Sequence, residues 1–146
     1  MKDLKAEGKI DKIGFSLYNT DQLQYLLDNE VVFDVLQFPY NLFDRQFDTY
    51  LLYLKQCGVE IHTRSVFLQG LFFKNVRKLT DKLLPMKKYL EKLHEYCGIS
   101  GISMEQLALN YVVSHPNIDG VLIGVDNCQQ LQANVDALQN GLRQRY

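Results

Sequence analysis

An α/β fold with a parallel sheet follows from three observations. Short apolar runs alternate with helical patterns along most of the chain, giving about four strands, each followed by one or two helices. One run, Val31 to Phe38, is nearly continuously apolar, as a strand buried on both faces should be. The 146 residues, 47% hydrophobic and 23% charged, have the balance of a globular domain with a sizeable core.

The first strand is predicted at Lys12 to Ser16, after a turn around Gly8. A helix begins near Thr20, with Asn19 as its cap, Gln22 as the capping-box partner and Leu23, Leu26 and Leu27 at helical spacing. The Val31 to Phe38 strand is ended by Pro39. The next helix runs from about Phe47 to Cys57, with Tyr50, Leu51 and Leu54 inward and Gly58 just past its end. A third strand, Val59 to Arg64, runs into the apolar loop Ser65 to Gly70. Lys74 to Leu84 is basic and weakly patterned; a helix starts at Pro85 and ends at Gly98. Ser103 and Gln106 form a capping box that opens a helix through Leu107, Leu109, Tyr111 and Val112. The fourth strand is Gly120 to Gly124, and Asn127 with Gln130 opens an amphipathic helix, Leu131 to Leu138. The polar tail from Asn140 should fray.

Composition excludes several classes. A net charge of −1 lacks the basic footprint of a nucleic-acid binder. The apolar stretch Ser65 to Phe73 is far too short to cross a membrane, and Met1 to Lys5 has no signal-peptide core. Cys57, Cys97 and Cys128 form no CxxC pair, so a disulfide framework and a zinc ribbon are not expected and a cytoplasmic compartment fits. Cys57 and Cys97 read as buried structural thiols beside helix-ending glycines. No GxGxxG, P-loop or GxSxG elbow is present. His62, His94 and His115 lie on different elements, which gives no metal-ligand spacing.

In parallel α/β folds, polar residues at the C-terminal ends of strands line the site. Four clusters fit: Ser16 with Asn19, Gln37 with Asn41, Arg64 with Ser65, and Gly124 to Asn127. Asn19 and Asn127 are also explained as helix caps. Gln37 interrupts the apolar run Val35-Leu36-Gln37-Phe38, and its amide needs partners, structural or ligand.

These strand ends resemble a known family. Lys9 to Ser16 resembles the "GKIRxIGxS" segment of aldo-keto reductases, and Val35 to Arg45 their "xxQxPYNxxDR" segment. Gly58 to Leu71 is similar to "G(I/V)xxxxxSxLxQGxL", Gly98 to Leu109 to "GxSxxQLAL", and Val121 to Asn134 to "VIxGxxxxxQLxxN". Five segments in the family's order and spacing correspond to the second half of its (β/α)8 barrel, strands five to eight. The resemblance implies an α/β fold of parallel βα units forming about half of a TIM barrel, with residues 1–146 as one partial domain. The length agrees, since a whole barrel takes about 250 residues.

Family members reduce aldehydes and ketones with a nicotinamide cofactor, usually NADPH, and this half of the barrel carries most of the cofactor contacts. By resemblance, Ser16 and Gln37 hold the nicotinamide carboxamide. Ser65 and the loop with Phe67, Leu68 and Gly70 face the pyrophosphate. Gly124 to Asn127 lies near the adenosine ribose, Asn134 meets the adenine, and Asn41 orders its own loop. Four positions depart from the pattern, one of them Ala133 in place of a common glutamate. Leu17 stands where many members have Asn. Arg64 replaces an aromatic residue that stacks on the nicotinamide; its planar guanidinium could stack there or reach substrate or phosphate. Gln130 takes the place of the basic residue that often meets the 2′-phosphate, so the choice between NADP(H) and NAD(H) stays open. The family's catalytic Asp, Tyr, Lys and His come from the other half, and none of their motifs is present here, so no catalytic or metal residue is assigned.

The expected partners are a nicotinamide cofactor and either a complementary N-terminal half or a second copy, because a half-barrel has open edge strands. Nucleic acid and membrane are not expected. The alternative is a non-catalytic half-barrel module that binds a nucleotide or a partner protein.

Overall fold

The computed structural model describes residues 2–139. Helix α1 spans Lys2–Ala6, β1 Gly14–Ser16, α2 Thr20–Asp28, β2 Val35–Pro39, α3 Asp48–Gln56 and β3 Glu60–Arg64. Three 3-10 segments, Leu71–Phe73, Val76–Lys78 and Asp81–Met86, precede α4 Lys87–Ser100, α5 Met104–Val113, β4 Gly120–Val121 and α6 Cys128–Gln139. The four strands form one parallel sheet in the order β1-β2-β3-β4. Two compact units are present. The first runs to Val66 and includes Val112–Ile123; the second comprises Phe67–Tyr111 and the chain from Gly124.

The first unit holds the whole sheet. Its register pairs Ser16 with Gln37, Gln37 with His62, Pro39 with Arg64, and His62 with Gly120. Side chains alternate between faces along a strand. One face therefore carries Leu36, Phe38, Ile61 and Thr63, all fully buried. Phe38 stacks on Phe47 at 4.0 Å between ring centroids, and Leu23, Leu26, Leu51 and Leu54 complete this core. Each such side chain contributes about 1.5–3 kcal/mol by leaving water. The other face carries Ser16, Gln37, Glu60, His62 and Arg64, half-buried or exposed. The expectation that the second strand is buried on both faces therefore holds for one face only.

Strand limits differ from the sequence reading. Residues 31–34 are not strand, and Val32 is exposed. At Asp34 the chain turns: the amides of Asp34 and Val35 both donate to the Ile13 carbonyl, at 2.7 and 3.1 Å. The first strand shortens to Gly14–Ser16 and the fourth to Gly120–Val121, although Leu122 N still donates to Thr63 O at 2.7 Å. Pro39 closes β2 as its last residue.

In the second unit, Pro85 sits inside the 3-10 segment, not at the start of α4, and Gly98 lies within that helix. Gly101, with φ of 66°, ends α4 and returns its N–H to Cys97 O. The sequence offers two glycines three residues apart, and the second takes the left-handed position. α6 also departs from expectation. Leu131, Val135 and Leu138 are exposed, while Asn134 and Ala137 form the buried side. A small residue there allows close approach, and Asn110 Nδ2 donates to Ala137 O at 3.2 Å. Cys57 is exposed and Cys97 half-buried, so the reading of both as buried thiols is corrected; Cys128 is exposed as well. The tail from Asn140 lies outside the described residues.

Candidate functional site

The parallel register brings Ser16, Gln37 and Arg64 to one face, with Ser16 and Arg64 at the C-terminal ends of β1 and β3 and Gln37 at the middle of β2. Ser16 Oγ donates to Gln37 Oε1 at 3.4 Å, a long bond between groups that are not sealed from water. A hydroxyl and an amide side by side offer both a donor and an acceptor, the complement of a carboxamide. Arg64 lies over the Tyr18 ring at 4.6 Å, within cation–π range. Its Nη2 donates to Leu17 O at 3.1 Å and Nη1 to Ser65 Oγ at 3.4 Å. Ser65 itself adopts φ of 62°, a left-handed conformation uncommon for a residue with a Cβ.

Asn41 holds this arrangement. It is fully buried, accepts from the amides of Phe43 and Asp44 at 2.9 and 3.0 Å, and donates to Ser65 O at 3.1 Å. That is the loop-ordering role the sequence assigned to it.

Toward the opposite strand ends, reaching the level of Gln37 at His62, the same face carries an ionic trio. Glu60 receives Lys12 Nζ on one oxygen and His62 Nε2, at 2.7 Å, on the other. The Lys12 bond, then the His62 bond, hold the Glu60 carboxyl below the usual carboxylate range, and Glu60 in turn raises Lys12. Two aspartates brace the same ends. Asp34 accepts Ile13 N at 2.7 Å and Lys5 Nζ at 2.6 Å; Asp119 accepts Ile61 N at 2.7 Å and Lys55 Nζ at 2.7 Å. Sequence reasoning missed both. The available signal was an Asp directly before each of two strands. Tyr18 was missed too, because its partner is 46 positions away by subtraction, 64 − 18.

In the second unit, Leu68, Gln69 and Gly70 take φ of 47°, 53° and 77° in succession. Only Gly70 is free of the Cβ penalty, so Leu68 and Gln69 hold strained backbone. Phe67 and Phe73 rings meet at 5.3 Å. Asn127 Oδ1 accepts Gln130 N at 2.8 Å, and Gln130 Oε1 accepts Asp126 N at 2.8 Å, so both cap α6. Gly124, Asn127 and Gln130 are exposed, and Asn134 is buried.

The histidines have local roles. His94 Nε2 meets Phe72 O at 2.7 Å, and His115 lies edge-on to Tyr40 at 5.8 Å. Among the described residues no three His, Cys, Asp or Glu side chains group as metal ligands, and no helix is long and apolar enough to cross a membrane.

Residues 1–145 match the aldo/keto reductase family model, and the chain belongs to that family. It is 25% identical to the NADH-specific methylglyoxal reductase of Escherichia coli over 97% of this chain and 48% of that protein. It is 28% identical to L-galactose dehydrogenase of Arabidopsis thaliana over 94% of this chain and 45% of that protein. Among solved structures, an aldo-keto reductase from Bacillus halodurans in its apo form aligns with a TM-score of 0.73 at 21% identity, covering 94% of this chain and 48% of that one. The chain thus spans about half the length of the relatives it matches, and its four-stranded parallel sheet with alternating helices matches about half of their barrel.

Proposed function

We propose that this chain supplies the nicotinamide-nucleotide-binding part of an aldo-keto reductase that reduces an aldehyde or ketone. The observation that carries the reading is the Ser16–Gln37 pair beside Arg64 on the open sheet face, whose donor set suits a carboxamide. Ser16 and Gln37 orient the nicotinamide ring; Arg64 and Ser65 border it. In the second unit, Phe67, Leu68 and Gly70 are assigned to the pyrophosphate, and Gly124, Asn127, Gln130 and Asn134 to the adenosine end. The bound cofactor supplies a hydride, and this chain's residues bind and orient. No residue here is assigned the general-acid role.

Chemistry therefore needs pairing with the family's other barrel half, whose catalytic residues a second copy of this chain would not supply. The β1 edge supports such pairing. It is an end strand of the sheet, and an open groove of about 470 Å³ beside it is lined by Phe15, Ser16, Tyr25 and Leu26 among others. The second reading, a non-catalytic nucleotide- or partner-binding module located in the cytoplasm, is favoured by the absent Asp, Tyr, Lys and His motifs. Fluorescence titration with NADPH and NADH tests the cofactor site. Saturable binding supports it, and Gln37→Ala should weaken that binding about tenfold; flat titrations with both nucleotides refute it. Turnover of a nitrobenzaldehyde by the chain alone would refute the non-catalytic reading.

A further inference from the structure

The cations at the two ends of the sheet differ in how they are balanced. At the N-terminal strand ends, Lys5, Lys12 and Lys55 are each paired with a carboxylate, Asp34, Glu60 and Asp119. At the C-terminal end, Arg64 has no carboxylate in salt-bridge contact among the described residues. The carboxylates after β2 are engaged elsewhere: Asp48, at the start of α3, accepts the Tyr40 hydroxyl at 2.6 Å, and Asp44 accepts Gln46 Nε2 at 3.0 Å. Arg64 contacts a carbonyl, a hydroxyl and the face of Tyr18. All three partners are neutral, so they hold the guanidinium in place without cancelling its charge. An arginine in a protein stays protonated.

This matters for the ligand that the neighbouring Ser16 and Gln37 suit. A nicotinamide ring carries a positive charge when oxidised and none when reduced. An aromatic residue at the Arg64 position would treat the oxidised ring favourably, through its electron-rich face. A fixed guanidinium on the same sheet face repels it. We propose that Arg64 makes this site selective for the redox state of the cofactor, so that the chain binds the reduced nicotinamide nucleotide in preference to the oxidised one. The proposal rests on the cofactor reading above and deepens it. Its consequence is directional. Product nucleotide leaves readily after hydride transfer, and the oxidised nucleotide competes weakly with the reduced one for the site. Tyr18 and the Leu17 carbonyl act as positioning groups, because they hold the guanidinium on the sheet face.

The test measures dissociation constants of NADH, NAD+, NADPH and NADP+ for the full chain by calorimetry. Wild-type chain is expected to bind each reduced nucleotide about tenfold tighter than its oxidised form, the size of one like-charge contact several ångströms long in partly solvated surroundings. Arg64→Gln should bring the two forms within about twofold of each other, mainly by tightening the oxidised one. Arg64→Lys, which keeps the charge, should retain most of the preference, and circular dichroism of both variants checks folding. Equal affinities in wild type, or an unchanged ratio in Arg64→Gln, overturn the proposal and leave the cofactor reading standing. Failure of all four nucleotides to bind overturns the cofactor reading, and the proposal with it.

Discussion

Gly14 and Gly120 show how the same substitution meets different resistance. A Cβ on Gly14 would lie 2.4 Å from the Val35 carbonyl oxygen, which is backbone held in the β1–β2 ladder and cannot step aside. Gly14→Ala should therefore lower unfolding free energy by about 1–3 kcal/mol, read from urea midpoints. A Cβ on Gly120 would meet Cδ2 of His62 at 2.8 Å, and that ring can rotate away from Glu60. Gly120→Ala should cost less in a His62→Ala background than in wild type, with a coupling above about 0.5 kcal/mol in a double-mutant cycle; strict additivity would show that the ring is not the obstacle. Sequence alone marked Gln37 and Arg64 as unusual, since each breaks an expected pattern. It could not show what they touch. Tyr18, just before the Asn19 cap, carries no signal of its own in the sequence, yet its ring lies under Arg64.

Helix starts marked by a side-chain cap were readable because such caps are local, whereas α4, which has none, begins at Lys87 and not at Pro85. Asn19 Oδ1 accepts Gln22 N at 3.0 Å and Ser103 Oγ accepts Gln106 N at 3.1 Å, both as the sequence indicated. The glutamines after the Asn caps differ from the standard box. Gln22 bonds Tyr18 N and Gln130 bonds Asp126 N, one residue before the cap in each case, whereas Gln106 reaches Ser103 N itself. Asn19→Ala and Asn127→Ala should each cost about 1 kcal/mol in thermal unfolding. Helix ends and strand ends were less readable. The C-terminus of α4 turned on which of two glycines adopts a left-handed φ, and β2 began late because Asp34 bends the chain. Asp34 has its own pH signature. Its bond from Lys5, then that from Ile13 N, hold its carboxyl below the ordinary range. For Asp119, partial burial pushes upward and is outweighed by Ile61 N and Lys55, leaving it lowered. A depressed folded pKa means stability that is present above the unfolded value, about 3.9, and lost as pH falls through the folded one. Urea midpoints should therefore drop below about pH 4, and Asp34→Asn should flatten that drop. A midpoint equally steep in Asp34→Asn would remove this aspartate as a source.

For the whole chain, the open sheet edges dominate. Among the described residues β1 and β4 each have one neighbour, with exposed Phe15 in β1 and exposed Leu122 just after β4. Backbone groups along such edges seek another strand. Sedimentation over a hundredfold concentration range should show reversible self-association, suppressed by a complementary barrel half; a sharp monomer at every concentration with cooperative unfolding would count against edge pairing.

The order of the four strands with their main helices, the parallel α/β class, the side-chain caps and the family resemblance were legible from residue order; α1 and the three 3-10 segments were not. Each legible feature depends on spacings of a few residues or on short segments in a set order. The shared face of Ser16, Gln37 and Arg64, the ionic trio of Lys12, Glu60 and His62, and the twin aspartate braces were not. They arise from parallel pairing between residues far apart in the chain, and a register shift of one residue would send every one of those side chains to the opposite face.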